Sequence, residues 1–209
     1  MSRSLSLFPT TALLAAALLA GCAAPRMDAQ WSNPQSKGTS LSGQTVLVAC
    51  QARELAVQAV CEEQFARQLA ARGARPLQFT AIEAGAVPTR ESVEAAARKA
   101  AAGYVWRTTL STSVPAVSTG PTIGIGVGGG GYRGGAAGGV SFPIGGATVS
   151  EAYAADSALH ETATGRLLWS GRASSPTGGN ATTQLGDLAR VSVEALQADG
   201  LLQPASGPT

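Results

Sequence analysis

Half of the chain's 26 glycines lie in a single stretch, Gly120 to Gly146, which reads GPTIGIGVGGGGYRGGAAGGVSFPIGG. Glycine surrenders more backbone freedom on folding than any other residue and is among the poorest helix and strand formers, so no long helix and no central strand can run through this stretch. It therefore divides whatever domain the chain builds. The residues around it must make the core, and the glycines themselves form either a projecting arm or a close backbone contact.

Three uses of such a stretch can be weighed. Gly124 to Gly129, GIGVGG, satisfies G-x-G-x-x-G as a string. A dinucleotide site also needs a helix to follow, so that the pyrophosphate meets its N-terminus, and GGYRGG cannot start one. No Walker pattern is present, so no nucleotide and no other cofactor is expected. A membrane hairpin fits better. Ile123, Ile125 and Val127 alternate with glycine on the way out, Tyr132 and Arg133 stand at the tip, and Val140, Phe142 and Ile144 alternate on the way back. Each arm has about the nine to eleven residues of a spanning strand. Pro143 and the shortage of aromatic girdle residues count against insertion, and an isolated hairpin leaves backbone groups unpaired in lipid, so only a closed ring of subunits would serve. The third use is a pliant arm that pairs with a partner's sheet edge. These eight side chains are the candidate interaction residues.

The address is written at the start. Arg3 supplies a positive n-region, LFPTTALLAAALLAG an apolar h-region too short to span, and LAGC (Leu19 to Cys22) follows. LAGC matches the lipobox of bacterial lipoproteins at every position, and that resemblance implies a signal peptide over 1–21, cleavage before Cys22 and acylation of its thiol with palmitate-like chains. Ala23, in place of the aspartate that marks inner-membrane retention, implies the periplasmic face of the outer membrane. Residues 22–44 are polar, rich in Pro, Ser and Gly and without periodicity. They read as a flexible tether with an r.m.s. span of roughly 25 Å. Residues 45–202 are then one domain's worth, with 203–209 a frayed tail.

A net charge of +2 argues against a nucleic-acid partner. Cys50 and Cys61 remain in the body, in an oxidising compartment that favours a bond between them over two buried thiols. If residues 53–61 were helical, Cys61 would stand more than about 10 Å along the axis, beyond disulfide reach. A bridge thus predicts a loop over QARELAVQAV and a helix beginning near Cys61.

Along the body, TVLVAC (Thr45 to Cys50) reads as a strand, CEEQFARQLAARG as a helix, PLQFTAI as a second strand, and PTRESVEAAARKAAAG as a helix with Thr89 as N-cap. YVWRTTLSTSV is a third strand. After the insertion over 120–147, SEAYAADSALHE and GRLLWSGRAS form a hairpin across TATG, and TTQLGDLARVSVEALQADG is a last helix ending at Gly200. The order β-α-β-α-β-insertion-β-β-α indicates an α/β domain, a mixed sheet with helices packed on one face.

This order, the lipobox and the motif TGRLLWSG (Thr164 to Gly171) on a late hairpin resemble the periplasmic lipoproteins built on the fold of the N-terminal domain of the Tol translocation protein. That group includes the curli-secretion channel subunit and the lipoprotein activators of penicillin-binding proteins. The chain is also similar to small glycine-rich lipoproteins of Gram-negative envelopes. HETATG departs from the group, whose members often carry an aspartate ahead of the turn. The resemblance implies no catalytic residues.

The chemical inventory agrees. His160 is the single histidine, beside Glu161 on a strand where neighbours face opposite ways. One histidine and a bridged cysteine pair are too few ligands for a metal, and no G-x-S-x-G elbow exists. Glu62 and Glu63 fall at the expected helix start, where carboxylates stabilise the positive end. Trp106 and Trp169 belong to the core, and Trp31 is a contact residue on the tether. The expected function is a non-catalytic, outer-membrane-anchored interaction or scaffold module for an envelope protein. The alternatives are an oligomeric pore or secretion subunit, which alone requires a homo-oligomer, and more remotely an envelope hydrolase.

Overall fold

The computed structural model describes residues 24–113, 122–125, 140–143 and 151–202. Its centre is β2 (Thr45–Gln51), whose Val46, Val48 and Cys50 are buried on one side and Leu47 and Ala49 on the other. A strand buried on both faces reads as an unbroken apolar run, which TVLVAC is. Parallel partners flank it, β3 (Arg75–Gln78) and β4 (Tyr104–Ser113). Beyond β4 the sheet turns antiparallel through β7 (Ala152–Glu161), β8 (Leu167–Ser174) and β1 (Arg26–Ser32), giving the order β1-β8-β7-β4-β2-β3. The short strands β5 (Thr122–Ile125) and β6 (Val140–Pro143) pair with each other in a separate antiparallel ribbon.

Four helices among the described residues complete the layers: α1 (Leu55–Ala70), α2 (Phe79–Ile82), α3 (Arg90–Lys99) and α4 (Ala181–Ala198). The α/β class and the mixed sheet accord with the sequence reading, but the helices divide between the two faces. Phe65 and Leu69 of α1 and Leu185, Leu188, Val193 and Leu196 of α4 join the cluster of Val48, Trp106, Leu159 and Trp169. Val93, Ala96 and Ala97 of α3 and Phe79 of α2 cover Leu47, Ala49 and Val105 on the opposite side. The cause lies in β2 and β4, whose parallel connections place helices on either face of a sheet, as in doubly wound folds.

The first face is organised by one cross-strand row, Val48, Trp106, Leu159 and Trp169, directly opposite one another on four strands. The two indoles meet at 5.4 Å between ring centroids, stacked at 22°. Each indole N–H is satisfied, by Thr108 Oγ1 at 2.9 Å for Trp106 and by Asp199 Oδ2 at 2.9 Å for Trp169. Leu168 and Trp169 are both buried because the register shifts between Leu159 and His160, so that one residue of β8 is extra and the strand turns two successive side chains inward.

Three expectations fail here. Residues 26–44 are not a free tether, since β1 pairs with β8 along its length, Pro34–Ser36 form a 3₁₀ turn and Leu41 is fully buried. The helix does not begin near Cys61: α1 starts at Leu55, yet Cys50 and Cys61 are bonded with their Cα atoms 6.1 Å apart. The expected conflict assumed a helix travelling away from its strand. After the turn at 52–54 α1 doubles back along β2, so each turn of helix brings Cys61 nearer to Cys50. Finally, PLQFTAI is a strand only to Gln78, after which Phe79–Ile82 make one helical turn that buries Phe79 on the second face.

Candidate functional site

Glu62 is not a charge at a helix start. It lies midway along α1, fully buried, and its carboxylate accepts from Cys50 N–H at 3.2 Å, Thr80 N–H at 2.9 Å and Thr80 Oγ1 at 2.7 Å. Thr80 is in the first turn of α2, so Glu62 satisfies orphan donors of another helix and ties three elements together. Burial pushes its carboxyl up, against the pull of those hydrogen bonds. The adjacent Glu63 is a surface partner of Arg67, one turn on.

Among the described residues, two surfaces of the second face are candidate sites. The first is a shallow trough over β1, β8 and β7, where Ala29, Ala158 and Ser170 present little side chain between Trp31, Asp156 and Arg172. Trp31 is 47% exposed and stands directly opposite Ser170. Arg172 and Asp156 pair across the trough at 2.6 Å.

The second surface is a cleft of about 500 Å³ between α3 and the β7–β8 turn. Arg90, Glu94 and Arg98 stand four residues apart, in one line along the exposed flank of α3. Arg107 rises from β4 in the floor, and His160, directly opposite Val105, closes the far wall with Glu161. The turn is fixed by the Thr162 N–H bond to Gly103 O at 2.9 Å and by Gly165, whose φ of +67° is a left-handed conformation that glycine adopts without strain. His160 Nδ1 lies 3.4 Å from Gly165 O.

Charge in the cleft is unevenly paired. Arg90 Nε meets Glu94 at 2.8 Å, and Arg166 meets Glu161 at 3.4 Å while Thr164 Oγ1 donates to the same carboxylate at 2.6 Å. The Arg90 bond holds Glu94 below the usual carboxylate range. Arg98 and Arg107 have no hydrogen-bonded or ion-paired side-chain partner among the described residues. Burial holds His160 below its ordinary pKa, and Arg107 and Arg90 depress it further, against the Gly165 carbonyl and Glu94. No hydroxyl or thiol among the described residues bonds to His160, and none of their His, Cys, Asp and Glu side chains cluster as a metal site would need.

Of the residues singled out in the sequence, Cys50 and Cys61 form the disulfide. Ile123 pairs with Phe142 and Ile125 with Val140 in the β5–β6 ribbon. Cys22, Val127, Tyr132, Arg133 and Ile144 lie outside the described residues. No described helix is long and apolar enough to cross a membrane. Sequence reading missed Arg98 and Arg107: the first looks like an ordinary surface charge on α3 and the second like the polar alternate of a strand. No local signal sets them apart, since only the fold brings them together on α3 and β4.

No protein-family model and no curated protein matches the chain. Among solved structures it is similar to PelC dodecamers from Paraburkholderia phytofirmans, a leucine-to-methionine variant and the unsubstituted protein, in two crystal forms. One is 14% identical, with a TM-score of 0.46, over 78% of this chain and 94% of that one. The other is 15% identical, with a TM-score of 0.44, over 80% and 96%. A PDZ domain protein from Parabacteroides distasonis is 10% identical, with a TM-score of 0.40, over 88% of this chain and 38% of its own. The Tol N-terminal domain is not among these three, and likenesses at this level leave function to the residues themselves.

Proposed function

We propose that the chain is a non-catalytic, lipid-anchored interaction module on the periplasmic face of the outer membrane, held with one end of its sheet close to the bilayer. The observation that carries this reading is where β1 begins. Arg26 is four residues beyond Cys22, so an acyl group on that cysteine is at most about 14 Å of extended chain from the edge strand. Arg26 stands opposite Ser174, Ser174 opposite Ala154, and Ala154 opposite Ser111. The chain leaves β4 at Ser113 and returns at Ala152, at this same end. The start of β1, the end of β4 and the start of β7 therefore share one end of the sheet, and the cleft beside His160 lies at the other end of the ten-residue β7, about 30 Å away. The Cys50–Cys61 bond suits an oxidising compartment.

Fractionation tests the anchor. The wild-type chain is expected in outer membranes with labelled palmitate incorporated, and Cys22→Ala is expected to be soluble and unlabelled. A Cys22→Ala chain that still sediments with membranes sinks the reading. An oligomeric membrane-inserting subunit is the second reading, favoured by the ribbon that pairs Ile123 with Phe142 and Ile125 with Val140. Native mass in mild detergent separates the two: a monomer or dimer supports the module, and a discrete assembly of many subunits supports the inserted ribbon.

A further inference from the structure

We propose that the cleft between α3 and the β7–β8 turn is a binding site for an oxyanion, a carboxylate or phosphate group of a larger ligand, held by Arg98 and Arg107. The proposal does not rest on acylation at Cys22.

Arg90 is matched by Glu94 and Arg166 by Glu161. What remains in the cleft is Arg98 and Arg107, each with five N–H donors and no acceptor side chain within bonding distance among the described residues. Arg98 is free to move on the surface of α3. Arg107 is different, since it is half-buried on a central strand with β7 hydrogen-bonded beside it, so its backbone cannot swing away. A partly desolvated guanidinium without a partner is unfavourable, and a bound oxyanion relieves it through paired, charge-assisted hydrogen bonds. A site on a strand and a helix is also fixed more tightly than one on loops.

Size and position fit the same conclusion. The cleft of about 500 Å³ falls within the range of about 300–1,000 Å³ of small-molecule sites and exceeds what a lone phosphate fills. Val93 and Val105, both buried in the core of the second face, close the floor beneath the charges and give the cleft a rigid base. Glu94 and Glu161 are each bonded to their own arginine, and Glu94, which attracts Arg98 and Arg107 at longer range, makes no hydrogen bond or ion pair to either.

His160 gives the readout. It is the only histidine in the chain, so its ring resonances are unambiguous. The groups around it are Arg107 on β4, Arg90 and Glu94 on α3, and the Gly165 carbonyl with Glu161 in the turn. An anion beside Arg107 cancels part of the field that depresses His160, so binding raises its pKa.

The test is a titration of the full mature chain in detergent micelles with inorganic phosphate and, separately, with a short glutamate peptide, followed by His160 ring shifts. Both probes are expected to saturate and to raise the His160 pKa, and the tighter of the two identifies the ligand as phosphorylated or carboxylate-bearing. Arg107→Ala is expected to weaken binding about tenfold or more, as loss of a charged hydrogen-bond donor does. Arg98→Ala, an exposed change that leaves the core intact, should weaken it similarly, and Arg107→Lys should fall between. Arg67→Ala, on the other face, should bind as wild type. The proposal is overturned if His160 responds to phosphate only as it does to sodium chloride, or if Arg98→Ala and Arg107→Lys both bind like the wild type.

Discussion

The indole of Trp169 lies across Gly171, two residues along β8, so closely that a Cβ at position 171 would stand 2.5 Å from ring atom Cη2 and 2.6 Å from Met27 Cε. The motif WSG is thus a packing device, in which glycine makes room for the ring that stacks on Trp106. Met27 can move its methyl group, but Trp169 is held by Asp199 and by the stack, so the ring cannot yield cheaply. Gly171→Ala is expected to lower stability by about 1–3 kcal/mol, as overpacking does. Urea unfolding checks it, and a variant as stable as the wild type would show that the ring has somewhere to go.

The buried carboxylate of Glu62 gives a pH dependence of definite sign. Its pKa in the folded chain is raised, chiefly by burial, so the folded state holds the proton more tightly than the unfolded state does. The stabilisation from this group is complete below the unfolded value of 4.5 and is lost as pH rises through the folded pKa. Glu62→Gln does not titrate, and its N–H₂ cannot accept where the hydroxyl of the protonated acid still can, a loss of about 1–3 kcal/mol. The stability difference between wild type and variant should therefore be largest near pH 4 and shrink toward pH 7. A difference that instead grows with pH would mean that the carboxylate is held ionised.

The Cys50–Cys61 bond closes a short loop between a central strand and the helix lying back upon it, both cysteines fully buried. Cross-linking a loop of this length stabilises by about 3 kcal/mol in the chain-entropy model. The double variant Cys50→Ala/Cys61→Ala is expected to lose about that much and to keep the fold, since Val48, Phe65 and Trp106 remain packed around the site. Equal denaturant midpoints for the wild type and the variant would contradict this.

How far the fold was legible depends on what each element faces. Thr89 accepting from Ser92 N–H, the Trp106 and Trp169 core and the β7–β8 hairpin all follow from patterns in which one face is buried and the other wet. The strand β1, RMDAQWS, gives no such pattern, because only Met27 and Ser32 are even partly covered. Its order comes from pairing with β8 and from Asp199, which accepts from both Ser32 Oγ and Trp169 Nε1, contacts that no local rule contains. Glu62 was unreadable for a related reason: its partners are 12 and 18 residues away on other elements. The cleft was hidden because its charges are unremarkable singly, and only the fold brings α3, β4 and the turn together.

Gln184 holds the point at which the chain returns from the glycine-rich stretch. It is nearly buried on the first turns of α4, and its amide uses all of its hydrogen-bonding capacity. Nε2 donates to Glu151 O at 2.8 Å and Gly178 O at 3.0 Å, and Oε1 accepts from Tyr153 N–H at 3.1 Å and from Ser175 Oγ. Leucine has nearly the same volume and none of these bonds, so Gln184→Leu takes the amide partner from the Glu151 and Gly178 carbonyls and an acceptor from Ser175 Oγ and Tyr153 N–H, and is expected to cost about 2–3 kcal/mol. Ser175→Ala removes a hydroxyl that bonds both Gln184 and Tyr153, but leaves Gln184 its two donor bonds, so it should cost less, about 1 kcal/mol. Urea unfolding of the two variants ranks them. If Ser175→Ala proves as damaging as Gln184→Leu, the serine and not the amide fixes the start of β7.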